Sequence, residues 1–172
     1  MALVGLWAAV ELEGLRFWTG WSLGGALLAL AISDVQRHVL PDRLTLPLIP
    51  AGLILAWATA PPGDAVALTL DHAIGAVAGF TLFALIGAIY WRVRQRDGLG
   101  LGDAKLLAAA GAWVGWQALP HLVLLASLAA LAGAGLGALA GRPLGAATAI
   151  PFGAFLAAAF WLVWLYDPLA GG

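Results

Sequence analysis

Nine of the 172 residues are acidic. Carboxylates are costly near hydrocarbon, so each one in a strongly apolar chain needs a reason. Glu11, Glu13, Asp64 and Asp167 fall in stretches read as loops or chain ends, where water solvates them. Asp97 belongs to the charged run WRVRQRD and pairs readily with its arginine neighbours. Asp71-His72 is expected as a wet interfacial pair. Asp34, Asp42 and Asp103 remain. Asp34 directly follows the apolar run ALLALAIS, Asp42 follows Pro41, and Asp103 follows Gly98-Leu99-Gly100-Leu101-Gly102.

Two carboxylates that share a site cannot both ionise easily, so one proton is held between them. One group then acts as base toward water and the other as acid toward a carbonyl, which is aspartic-protease chemistry. Such a pair titrates as a unit. Asp34 and Asp103 are the candidates. The glycines before Asp103 allow positive φ and leave room for a second backbone. An extended peptide can pair with the free N–H and C=O groups of such a segment. Irregular backbone at membrane depth is tolerated when it lines a wet cavity, so a cavity is expected here. The plainer alternative for Asp103 and Asp42 is helix N-capping.

Other chemistries fit poorly. The chain has no Cys, which excludes thiolate zinc sites, disulfides and cysteine nucleophiles. His38, His72 and His121 show no metal-ligand spacing, so no metal and no cofactor are expected. The Gly-x-Gly-x-Gly run lacks the preceding strand of a dinucleotide site. Net charge is −1, so no basic surface exists to hold nucleic acid.

The elements that must position these carboxylates are transmembrane helices. Hydrophobic residues make up 63% of the chain and charged residues 10%, with mean hydropathy +0.96. A crossing needs about 20 apolar residues. The expected fold is all-α and polytopic in a lipid bilayer, with six spans in one domain, residues 1–172. The spans run over 17–33, 44–60, 65–91, 104–119, 121–140 and 147–166. Pro61-Pro62-Gly63-Asp64, Pro120 and Arg142-Pro143 separate them. Residues 1–16 form a short N-terminal hydrophobic segment, interfacial or marginally spanning.

Arg37, Arg43, Arg92, Arg94, Arg96, Lys105 and Arg142 share one side if the spans alternate, and Arg16 alone takes the other. The positive-inside rule makes the first side cytoplasmic, with Asp34, Asp42 and Asp103 on it. Trp18, Trp21, Trp57, Trp116, Trp161 and Trp164 are expected as an outer belt, and Trp91 at an inner end. Gly20/Gly24, Gly75/Gly79, Gly111/Gly115 and Gly133/Gly137 have the spacing that lets helices approach closely.

Three segments carry a resemblance. SDVQRHVLPDRLTLPLI (33–49) resembles the first aspartate block of type IV prepilin peptidases, the A24 family of GxGD aspartic proteases. GLGLGDAKLLAAAGAWVGWQALP (98–120) is similar to their second block, and IPFGAFLAAAFWLVWL (150–165) to their C-terminal IPFGPFL segment. The blocks come in the family's order and cover most of the chain. The resemblance implies that Asp34 and Asp103 are the catalytic pair and that Gly100 and Gly102 are the GxGD glycines. Asp42 matches the second acidic position of the first block, with a structural or substrate-orienting role. Lys105 matches the Lys after GxGD and balances the site or meets an acidic substrate group. The implied substrate is a prepilin or pseudopilin leader, cut after a Gly at the cytoplasmic face of the inner membrane.

Gln36 stands where the family usually reads Asp, which argues against a catalytic need there. The bifunctional members add a region with zinc-binding CxxC pairs and N-methyltransferase activity. With no Cys, the sequence predicts a peptidase core without methylation, in a natural short form or a truncated one. Two other readings compete. Presenilin-type GxGD proteases pair GLGD with YD and PAL motifs, whereas Ser33-Asp34 stands here and PAL does not occur. A non-proteolytic transporter or assembly factor would place its acidic site near the midplane, between inverted repeats.

Overall fold

The computed structural model describes residues 15–95, 100–140 and 151–166. The expectations for residues 1–14, Asp97, Gly98, Leu99, the Arg142-Pro143 turn and Asp167 lie outside them. Five helices follow in order: α1 (Leu15–Arg37), α2 (Asp42–Thr59), α3 (Ala65–Arg94), α4 (Leu101–Leu139) and α5 (Phe152–Tyr166). The described residues contain no strand.

α1 and α2 each bury one stripe. In α1 it is Leu23, Leu27 and Leu30; in α2 it is Thr45, Leu48, Gly52 and Ala56. These recur at the three- and four-residue steps of a helix face. The beginning of α4 is different, because 106–115 is buried on every side. That arm is the centre of the bundle, with α2, α3 and α5 packed around it.

Six spans were expected; five helices are described, and two of them, Ala65–Arg94 and Leu101–Leu139, are long and apolar enough to cross a membrane. The outer surface is apolar as well. Val66, Leu70, Ile74, Val77 and Ile89 of α3 and Leu131 and Leu136 of α4 face outward. Exposed apolar area of this kind marks an interaction surface or a lipid-facing one.

α4 corrects the sequence reading of its own course. A break was expected at Pro120. Instead the helix is interrupted at Gly115, at φ 74° and ψ 173°, and Pro120 is accommodated inside helix. Only glycine enters that backbone region at little cost. Pro120 lies close after the new start, where a missing N–H is tolerated. Gly115 also reverses the chain. A straight helix would carry Gly133 about 45 Å from Asp103. Instead Gly133 packs on the ring of Phe155, two residues from Gly153, and Gly153 adjoins Asp103. The arms 101–114 and 116–139 therefore run back alongside each other.

Two of the small-residue pairs make the closest crossing. Gly75 meets the backbone of Gly111, Gly115 and Trp116, and Gly79 meets Leu107. A side chain at either position would force α3 off α4. Gly137 has open space around it. The helix break also explains His72, which is buried and not the wet interfacial group expected. Its Nδ1 lies 3.0 Å from the carbonyl oxygen of Ala112, an acceptor in the last turn before the break. The tryptophan belt needs a similar correction. Trp18, Trp21, Trp57, Trp116 and Trp91 are exposed, but Trp161 and Trp164 are buried and stack on each other at 5.6 Å. Trp164 also meets Trp113 edge-on, so these rings fill the core.

Candidate active site

α1 does not stop before Asp34, as the apolar run suggests. It continues to Arg37, which puts Asp34 in its last turn, 6% exposed. His38 then takes positive φ (53°) and donates its N–H to Asp34 O at 2.8 Å. This left-handed residue ends the helix. Ser33 Oγ donates to Val39 O at 2.8 Å and ties down the turn. Leu40 is thereby buried, and Pro41 opens α2.

Asp103 lies in the first turn of α4. The N-cap positions are Gly100 and Pro41, and neither makes a side-chain cap bond. Asp42 and Asp103 are therefore not the N-cap residues themselves, but Asp103, three residues after Gly100, accepts a hydrogen bond from the Gly100 backbone and so caps the first turn of α4. The two glycines before Asp103 have distinct surroundings. Gly102 lies against Leu40, where a Cβ would fall 3.0 Å from Leu40 Cβ. A Cβ on Gly100 would fall 3.5 Å from Asp103 Oδ2.

Asp34 and Asp103 come together at α5. A Cβ built on Gly153 would lie 3.0 Å from Asp34 Oδ2, 2.9 Å from Asp103 Oδ1 and 2.9 Å from Leu40 Cδ1. The two oxygens are therefore separated by no more than the sum of 2.9 and 3.0 Å. That limit is close to the reach of two O–H···O bonds of about 2.8 Å through one water. Ala154 N–H donates to Asp34 Oδ2 at 2.9 Å, so the start of α5 holds one of the two carboxylates.

A cavity of about 270 Å³ opens at this end of the bundle. Asp34, Asp103, Asp42, Gly100, Gly102 and Lys105 all line it, together with His38, Val39 and Leu40. A water occupies about 30 Å³ in the liquid, so the cavity admits a nucleophile and part of a chain beside it. Lys105 Nζ donates to both oxygens of Asp42, at 2.7 and 2.8 Å. This pair joins α2 to α4 across the mouth. Both partners keep solvent contact, so it stabilises weakly.

Every site residue expected from the sequence thus lines one cavity. The sequence reading missed His38, Leu40, Gly153 and Ala154. The IPFG segment was a signal for the last two, although neither carries a functional group on its side chain. Among the described residues, no group of three His, Cys, Asp or Glu is placed to hold a metal.

The fold and cavity define a helical, lipid-compatible protein with two facing carboxylates at one end of its bundle. Residues 21–135 match the type IV leader peptidase family, and the chain belongs to that family. A Dickeya chrysanthemi protein named prepilin leader peptidase/N-methyltransferase is 46% identical over 129 residues, 70% of this chain and 43% of that protein. A protein of the same name from Aeromonas salmonicida is 44% identical over 128 residues, 67% of this chain and 40% of its own. Another from Escherichia coli K12 is 44% identical over 109 residues, 63% of this chain and 46% of its own. The chain spans less than half the length of these curated relatives. No solved structure matches it.

Proposed function

We propose that this chain is a membrane-embedded aspartic endopeptidase that removes the leader of type IV prepilins or prepilin-like proteins at the cytoplasmic face of the inner membrane. The observation that carries this reading is the convergence of Asp34 Oδ2 and Asp103 Oδ1 beside Gly153, at a cavity of about 270 Å³ that both aspartates line. A transporter reading lacks comparable support. The pair stands at helix ends, in the last turn of α1 and the first turn of α4, and not in the middle of a helix.

In the proposed reaction a water lies between the two carboxylates. The ionised one takes a proton as the water oxygen bonds to the scissile carbonyl carbon. The protonated one gives its proton to the carbonyl oxygen, forming a neutral tetrahedral diol. The newly protonated carboxylate then gives its proton to the amide nitrogen while the other takes one from a diol hydroxyl, and the C–N bond breaks to leave an acid and an amine. Each carboxylate thereby ends in the form in which it began. The six-span arrangement in the bilayer, with Arg37, Arg43, Arg92, Arg94 and Lys105 at the cytoplasmic side, belongs to this reading. The substrate's polar leader stays in the cytoplasm and its apolar helix stays in lipid. The scissile segment extends along the glycines that precede Asp103. The 172 residues contain no Cys and so supply no thiolate ligand for zinc.

The test is cleavage of a prepilin with its leader by the purified chain in lipid, read by mass spectrometry. A new N-terminus directly after the leader's Gly, without an added methyl group, is expected. Intact substrate across several prepilins overturns the peptidase reading. A methylated product overturns the expectation of a peptidase without methyltransferase activity.

A further inference from the structure

We infer that Gly153, in the first turn of α5, is a positioning residue that sets the spacing of the two carboxylates by having no side chain. The inference rests on the peptidase reading and names a residue that the reading does not require.

Gly153 is buried, and its missing Cβ would sit within 3.0 Å of one oxygen from each aspartate and of Leu40 Cδ1. Carbon does not approach carboxylate oxygen or methyl carbon that closely without displacing it. All three neighbours are ends of side chains and none is backbone. Side-chain ends rotate more easily than helices translate. A methyl group at 153 would therefore be accommodated by pushing Asp34, Asp103 and Leu40 aside, with α5 left in place.

Conformation does not demand glycine here. Among the described residues, Gly63 and Gly115 are the glycines with positive φ, and Gly153 has ordinary helical backbone. Alanine favours a helix over glycine. Added backbone preference should hold or raise stability while the pair loses its geometry. A packing role would instead lower both together. Gly133 supplies the comparison. It lies on the same pair of helices, and its Cβ would fall 3.0 Å from a ring carbon of Phe155, remote from either carboxylate.

The experiment compares the unsubstituted chain with Gly153→Ala, Gly153→Ser and Gly133→Ala in lipid, measuring kcat, KM and the unfolding midpoint. Misplacement of reacting groups by about 1 Å costs about 10²-fold in rate. Gly153→Ala is expected to lower kcat by about that factor, with KM and the midpoint unchanged, and Gly153→Ser is expected to fall at least as far. Gly133→Ala should keep its kcat. A Gly153→Ala kcat within twofold of the unsubstituted chain overturns the inference and leaves the peptidase reading intact. So does a kcat loss matched by a lower midpoint or by loss of folded protein. Absence of cleavage by the unsubstituted chain overturns both.

Discussion

Asp34 and Asp103 meet although helices α2 and α3 separate them in the chain. Oδ2 of the first and Oδ1 of the second both lie within 3.0 Å of one point beside Gly153. Neither helix could achieve this alone. The end of α1 and the start of α4 are brought to the same end of the bundle, and α5 closes over both.

If the pair shares a catalytic water, removing either charge stops proton transfer. Asp34→Asn and Asp103→Asn are each expected to slow cleavage by about 10²–10⁴-fold, the usual share of general acid–base catalysis. The double variant should be little slower than either single one, since the groups act as a unit. Near-normal turnover in one variant removes that residue from the pair. The measurement is initial rate in lipid, with circular dichroism to establish equal folding.

The Lys105–Asp42 bridge should matter little for stability. Asp42 keeps about half of its side-chain surface in solvent, at 54%, so water screens the bridge. Lys105→Met and Asp42→Asn are each expected to cost below about 1 kcal/mol, with a coupling in the same range in a double-mutant cycle. Thermal unfolding in detergent checks this. A coupling several times larger would mean that the mouth of the cavity is drier than the structure indicates.

Gly115 carries a heavier load than its neighbours. At φ 74° and ψ 173° an alanine pays strain of about 1–3 kcal/mol. Its Cβ would also fall 2.5 Å from Asp71 Oδ2. Gly63, at φ 96° in the turn before α3, has nothing within 4 Å of a Cβ. Gly115→Ala should therefore lower the unfolding midpoint clearly more than Gly63→Ala. Equal shifts would show that the reversal of α4 does not depend on this residue.

His72 supplies a partner for a carbonyl at the same break. Replacing it with Leu leaves the Ala112 oxygen without that bond, and a buried acceptor so stranded costs about 1–3 kcal/mol. His72→Asn, which retains a donor, should recover part of the loss. Hydrogen exchange at the 112–116 amides would localise the effect to the break.

The helices were legible because their signals are local. Apolar runs, Pro61-Pro62-Gly63 and the basic clusters mark α2 and α3 within a few residues of the observed ends. Asp34, Asp42, Gly100, Gly102, Asp103 and Lys105 stood out because charge and clustered glycine are conspicuous in so apolar a chain. A glycine whose value is empty space is not conspicuous among 23 of them.

The sequence by itself determined a lipid-compatible helical chain and the position of Asp34 and Asp103 at helix ends. Those follow from composition, periodicity and residue chemistry, which each segment carries alone. The tertiary structure decided the rest. It moved the break in α4 from Pro120 to Gly115, because Pro is tolerated near a helix start while close packing on Asp71 and Gly75 leaves room only for glycine. It turned Trp161 and Trp164 from an interfacial belt into core. It also set the gap between Asp34 and Asp103, which depends on where α5 lands, and a contact between remote helices has no local signature in either.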